Sequence, residues 1–488
     1  MLTGPGLCEP GDLDGRRMYS GLALRAWAAV RRVCHSGLIV AAAVALILLM
    51  TGRQGRAQEE IRQEYPTPST VDQSTTPIQS TFTAPPQPET PLFPELRDRL
   101  RDAPAFLRDA KVDVGLRSYY LEEDKLDNTK SEAWALGGAI SFQSGWIGDL
   151  LSVGGVYYTS QPLYAPSGRD GTNLLQPGQR GYSALGQIYA RVKADEQTFL
   201  NLGRSAYDTP FINRNDSRMT PNTFEGYTLT GTAGDDRASV RYGAGYIDKI
   251  KLRNSEEFIS MSRAAGAGVD RGVGVAGALV TAGGLSAGAI DYYSSDIVNI
   301  AYGEAKYTAP LPAGSEGALA LQYADERNVG GNLLTGAPFS TNLVGVKIEG
   351  GRAGAILTWA YTIMGSGANL VKPWSGSPNY TSSMVQNFNR AGEQAVLAKL
   401  SYDLSRIGVD GVTTYALLAY GWTSATTAGP QPIRETEADL DLQWQPPWEV
   451  FKGLSVRARY GYVDVDQTTS HGVIHDMRLI MNYNLAVF

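Results

Sequence analysis

Cysteine is almost missing from this chain: of 488 residues only Cys8 and Cys34 carry a thiol, and both lie near the start. Beyond them a disulfide framework, thiol redox chemistry and thiolate metal sites are excluded. Histidine is nearly as scarce, with three residues, His35, His471 and His475. Long hydrophobic runs are missing too. The one uncharged apolar stretch, residues 38–50, is shorter than the roughly 20 residues a helix needs to cross a bilayer, so any membrane crossing must be made by strands. Sustained helical heptads are absent, which excludes a coiled coil or helical bundle. Excess positive charge is lacking as well: 43 Lys and Arg face 49 Asp and Glu, a net charge of −6. That balance disfavours a general nucleic-acid binder, which must neutralise phosphates.

What is present begins with a leader. Arg25, Arg31 and Arg32 precede the apolar run and Gly55-Arg56-Ala57 follows it, the pattern of a secretory signal peptide; residues 1–57 are read as leader, with cleavage after Ala57. Arg16, Arg17 and the polar start favour Met18 as the initiator, and Cys34 precedes the apolar run, which argues against lipid attachment. Without the seven arginines and three acids of the leader, the net charge falls to about −10. Residues 58–105 follow as a Pro-, Thr- and Ser-rich periplasmic linker. Such a composition cannot bury a core. Its end, residues 95–109, is charged and has the makings of a turn of helix.

From Phe106 to Phe488 short alternating strands recur between turn residues, the signature of an all-β, transmembrane antiparallel barrel. In the closing stretch Met477, Leu479, Met481, Tyr483, Leu485 and Val487 share one face, and Arg478, Asn482 and Asn484 the other. One face suits lipid and the other water. Phe488 falls out of phase with Val487. Elsewhere Val456, Ala458, Tyr460 and Tyr462 oppose Arg457 and Arg459, and Val240, Tyr242, Ala244 and Tyr246 oppose Ser239, Arg241 and Gly243. Gly283-Gly284, Gly330-Gly331 and Gly350-Gly351 mark candidate turns. At roughly 20 residues per strand and connection, residues 106–488 make about 16 to 20 strands in a single closed domain.

Parity places a cation on the polar side of several strands: Arg191, Lys193, Arg241, Lys306, Lys347, Lys399, Arg457, Arg459 and Arg478. Together they would form a basic track attracting carboxylates through weak, successive sites. Taken singly, each is an ordinary lumen residue paired with an acid such as Asp439, Asp441 or Glu349. Residues 207–226 form a loop dense in charge, proline and aromatics. Folded inward, it would narrow the pore with Arg214, Asp216, Ser217 and Arg218.

The run PFINRNDSRMTPNTFEGYTLTG in that loop resembles the inward-folding loop of OprD-type outer-membrane porins. FLRDAKVDVGLRSYYLEED with AWALGGAISFQSGW resembles the family's first hairpin, QNFNRAGEQAVLAKLSYDLSRIGVDGV a late strand pair, and HDMRLIMNYNLAVF the closing strand. The resemblance covers residues 106–488. It implies a barrel of eighteen strands in the outer membrane of a Gram-negative-type bacterium, monomeric or weakly associated. It also implies passive, selective passage of small carboxylate-bearing solutes, either basic amino acids or aromatic and other organic acids. The family's ladder of lumen Arg and Lys matches the track, its third outer loop matches residues 207–226, and Arg390 in NFNRAGE falls in a recurring motif that joins the constriction or holds a turn. The Pro-rich linker departs from the family's short start. The expected partners are small solutes and outer-membrane lipid, with no nucleic acid, and no cofactor.

Three rivals stand beside this reading. A general diffusion porin would use the same cations only as a transverse field. An outer-membrane barrel hydrolase would need a nucleophile, a base and an acid, and only His471 and His475 offer the base. These histidines lie about 13 Å apart on an extended chain and would need a turn and Asp476 to hold a metal, so no metal site and no enzyme is expected. A wall-tethering protein is suggested by the linker alone. The glycine-rich run 266–284 has no βαβ context, so strand and turn glycines explain it better than a nucleotide loop.

Overall fold

The computed structural model describes residues 92–235, 237–423, 434–467 and 470–487. Residues 1–91, with the expected leader and most of the expected linker, and Phe488 lie outside them. Two short helices, α1 (Pro94–Arg99) and α2 (Ala105–Arg108), precede the sheet. The amides of Leu92 and Phe93 donate to the carbonyls of Ala486 and Val487, which holds this entry segment beside the end of the last strand.

The alternation closes into a barrel of eighteen antiparallel strands. A further strand of three residues, Phe258–Ser260, pairs only with Ala238–Lys251. Closure is made by the first strand, Lys111–Asp124, which pairs with Lys130–Gln143 on one side and with Ser470–Ala486 on the other. On that seam Asp113 faces Ala486 and Glu123 faces Asp476. A closed sheet leaves no unpaired edge of amides and carbonyls, which is the condition for crossing lipid as strands. No helix among the described residues is long and apolar enough to cross a membrane.

Parity fixes the two faces. Leu116, Ile140, Leu321, Trp359, Leu440, Met477 and Leu479 stand outward and exposed, while Asp441, Glu437, Asp476 and Arg478 point inward and are buried. Both described chain ends lie at one end of the barrel with connections such as 194–197, 283–284 and 353–354; the long connections 165–181, 206–222, 365–392 and 252–272 lie at the other. Gly283-Gly284 is such a short turn, and Gly330-Gly331 lies in a longer connection. Gly350-Gly351, expected as a turn, instead belongs to the strand Ser340–Arg352. The reversal falls at Ala353 and Gly354, whose φ values of 52° and 83° suit a tight hairpin that twists with its strands.

The core sits inside the barrel, where long connections fold onto the wall. Tyr207, Phe211 and Ile212 of one loop, Met261 of another and Leu370 and Trp374 of a third pack against Val275, Tyr292, Ile300, Tyr302 and Leu343. This apolar mass fills the outer part of the lumen along one arc of the wall. It leaves the charged arc, formed by the last strands and the first, to line any aqueous path.

Candidate solute pathway and constriction

The loop 206–222 crosses the lumen. At one end Arg117 on the first strand grips Asp216 with two nitrogens, at 2.7 and 3.0 Å, and donates to the Arg218 carbonyl. The Arg117 Nε–H also donates to Asn482 Oδ1 on the last strand at 2.8 Å. At the other end Phe211 packs edge-on against Tyr292 and Tyr302, with ring centroids 5.7 and 6.3 Å away. These tyrosines belong to Leu285–Ser294 and Val298–Leu311, half the barrel's circumference from Arg117. An ion pair and an aromatic wedge thus pin the loop at opposite walls.

A second loop, 365–392, meets it inside. The carbonyl of Trp374 accepts from Asn213 N, that of Ser375 accepts from Asn215 Nδ2, and Ile212 bridges to Ser375. The Trp374 indole N–H donates to the Met261 carbonyl at 3.1 Å. The loops approach so closely at Gly376 that an added Cβ would lie 2.1 Å from the Pro210 carbonyl. Asn215, Ser375 and Phe388 hold positive φ (42°, 72° and 49°), a conformation side chains adopt only when the surroundings dictate it. Sequence reading singled out the first of these loops and, from the second, only Arg390. A stretch of this length without strand alternation, carrying Pro373, Trp374 and Pro378, was the available signal.

The predicted cations fall into distinct groups. Arg457 and Arg459 both bond to Asp441, at 2.8 and 2.7 Å, and Arg459 also donates to the Tyr415 hydroxyl. Arg478 stands directly across from Arg459 and is bound to Asp476 at 2.6 Å. Lys306 and Lys347 share a row through Ala320 and flank Glu349, at 3.6 and 4.0 Å. Lys399 lies between these groups, in a row running Glu349, Thr358, Lys399, Leu417, Asp439. Its ammonium is 5.8 Å from the Tyr415 ring centre. Arg191, Lys193 and Arg241 sit apart, near the short-turn end of the barrel. Arg191 stacks 3.8 Å over Phe199, Lys193 pairs with Asp149 and Glu196, and Arg241 has no ion-pair partner among the described residues.

In the loops, Arg214 pairs with Asp208 at 3.1 Å and Arg390 with Glu435 at 2.6 Å, so both serve to hold their own loops. Ser217 accepts from Arg253 at 2.6 Å and donates to Asn215. Arg218 donates to the carbonyls of Thr172 and Ser217 and has no carboxylate within ion-pair distance among the described residues. The same holds for Arg253 and for Lys372. Burial, and then the nearby Arg478, holds the Arg218 guanidinium below its ordinary value. Burial, with Arg218 and Arg478 adding repulsion, pushes Arg253 down to about 9. Lys372 reaches lumen water. Even so, the enclosing protein, and after it Arg253, lowers its ammonium to about 8. Asp476 and Glu123 only partly offset the charge on Arg218; three like charges with no acid in ion-pair reach among the described residues repel one another, and a bound anion would relieve them.

Arg117, Arg253 and Lys372 escaped sequence reading because none stands in a row of cations. The inward acids of Arg434–Trp444 were visible, since Glu435, Glu437, Asp439 and Asp441 recur at every second residue. The two late histidines point outward, His471 toward Asp464 and His475 toward the Tyr460 hydroxyl, while Asp476 points inward. A strand cannot bring these three to one metal, and no metal-holding cluster occurs among the described residues.

A closed membrane barrel whose lumen is narrowed by two inward loops defines the class: an outer-membrane channel. A family model described as outer membrane porin, OprD family, matches residues 104–487, and the chain belongs to that family. Among solved structures it is similar to Pseudomonas aeruginosa OccK9 (OpdG), at 23% identity and a TM-score of 0.70, covering 78% of this chain and 100% of that one. It is similar to Acinetobacter baumannii OccAB1, at 17% identity and a TM-score of 0.69, covering 79% and 99%. It also resembles Pseudomonas aeruginosa OpdK with vanillate, at 19% identity and a TM-score of 0.65, covering 78% and 100%. No curated protein matches the chain.

Proposed function

We propose that this porin is a passive channel selective for small carboxylate-bearing solutes, basic amino acids or aromatic and other organic acids. The observation that carries the reading is the group Arg218, Arg253 and Lys372 beside the junction of the two loops, with no acid in ion-pair reach among the described residues. A carboxylate arriving there finds cations that no ion pair holds among the described residues, in a narrow path whose low-dielectric walls strengthen the attraction. Lys306, Lys347, Lys399, Arg457, Arg459 and Arg478 would then serve as the approach. Their neighbouring acids keep each site weak enough for solute to leave. OpdK has been solved with vanillate, an aromatic carboxylate, which agrees with this chemistry. The pairing of those wall cations also favours a second reading, a general diffusion porin with only a weak transverse field.

Planar-bilayer recording separates the two. A selective channel gives a reversal potential on the anion side under a salt gradient, with saturating block by benzoate and none by glucose. Adding arginine tests the basic amino-acid branch. Indifference to all three solutes would establish the general porin and overturn the carboxylate reading.

A further inference from the structure

The strand Arg434–Trp444 directs four acids inward, and they divide three tasks. Asp441 holds Arg457 and Arg459, and Glu435 holds Arg390. Glu437 and Asp439 instead receive three successive backbone amides from the loop 365–392. Met384 N donates to Asp439 Oδ2 at 3.1 Å, Val385 N to Glu437 Oε1 at 2.7 Å, and Gln386 N to Glu437 Oε2 at 2.6 Å. Arg478 closes the contact from the next wall, donating to the Met384 carbonyl at 3.1 Å. Glu437 is fully buried. Amides in a row commonly cradle a passing anion; here the wall supplies the anion and the loop supplies the cradle.

We propose that Glu437, supported by Asp439, is a positioning residue that seats the loop 365–392 in the lumen and so sets the width and charge of the constriction. Glu437 touches no solute. It acts through the chain of contacts from residues 384–386 to Gly376, Ser375 and Trp374, which abut the first loop, and to Lys372 beside them. Both carboxylate oxygens of Glu437 are occupied by amides, so a neutral amide side chain would turn its NH2 toward one N–H donor and break that bond. The loop has a second carboxylate anchor, Glu326, which accepts Val371 N at 2.7 Å on the other side of the junction. Losing the Glu437 anchor would therefore free the stretch between residues 375 and 388 rather than the whole loop.

This inference rests on the channel reading but not on carboxylate preference, and its test has a readout that needs no conduction. The full chain and the Glu437→Gln variant, each judged folded by heat-modifiable gel mobility, are digested with chymotrypsin and recorded in potassium chloride. Cleavage after Tyr380 or Phe388, both held in the seated loop, should become about tenfold faster in the variant, matching the loss of one buried hydrogen bond that leaves its donor unpaired. Unitary conductance should rise, with added open-channel noise. Glu437→Asp, which keeps both acceptor oxygens one methylene short, should recover most of the protection. Gln386→Pro removes a donor from the loop side and should reproduce the effect if Glu437→Gln fails to fold. Wild-type cleavage and conductance in folded Glu437→Gln and Gln386→Pro would overturn the proposal. Unchanged block by benzoate alongside altered cleavage would count against the carboxylate reading and leave the seating role standing.

Discussion

Lys372→Gln is the sharpest perturbation of the constriction, because it removes one charge, shortens the side chain by only one atom and breaks no hydrogen bond or ion pair among the described residues. A carboxylate about 5 Å from the ammonium gains about 0.8 kcal/mol in a water-like dielectric and about 3 kcal/mol at an effective dielectric of about 20. Those limits correspond to about fourfold and about two-hundredfold in occupancy. Lys372 meets lumen water, so the lower part of the range applies, and benzoate block should weaken by about fourfold to tenfold. The pH dependence supplies an independent check. Burial and Arg253 lower this ammonium to about 8, so its charge is present below that pH and lost as pH rises through it. Wild-type anion preference should fall across that window, and the variant should lack the step. Reversal potentials and block constants at pH 7 and above pH 8 measure both effects. A variant that blocks like the wild type at pH 7 and keeps the same pH profile would refute the placing of Lys372 in the solute path.

Three further changes test the loops. Asp216→Asn dissolves the two-pronged grip of Arg117 and leaves that cation facing the lumen; anion preference should increase and open-channel noise rise, as reversal potential and current variance would record. Phe211→Ala removes a fully buried wedge between Tyr292 and Tyr302, at a cost of about 3–5 kcal/mol. The loop 206–222 should leave its seat, raising conductance while the barrel still migrates as folded on a gel. Gly376→Ala places a methyl 2.1 Å from the Pro210 carbonyl, so the two loops must part; a conductance at or below wild type would contradict their junction as the constriction.

The barrel itself was legible because strand parity is a local property. Met477, Leu479 and Met481 alternate with Arg478 and Asn482 whatever lies elsewhere, and the structure turns these sets to opposite faces. Parity also brought Arg457, Arg459, Lys306, Lys347 and Lys399 to inward positions. It could not tell which of them stay charged toward the path, because compensation comes from the neighbouring strand: Asp441 lies opposite Arg459 through a register that parity leaves open. The turn at Ala353-Gly354 was misplaced for a related reason. Gly350-Gly351 looks like a reversal in isolation, but Gly351 pairs with Ile356 across the hairpin and is held extended.

The constriction was only half legible, and the reason is the range of its contacts. Composition made residues 207–226 stand out, yet what carries the loop across the lumen is Arg117, 99 positions from Asp216, and Tyr292, 81 positions from Phe211. The second loop depends on Asp439, 55 positions from Met384, and on Glu437 next to it. No periodicity connects such pairs. The consequence is a division of labour that charge patterning alone would invert. Regularly spaced wall cations catch the eye in sequence but are largely tied to acids by the register that forms the barrel. Arg218, Arg253 and Lys372 follow no period, and arriving on loops rather than on strands they have no acid in ion-pair reach among the described residues. Selectivity in such a barrel should therefore follow substitutions in its inward loops more closely than substitutions in the rows of its wall.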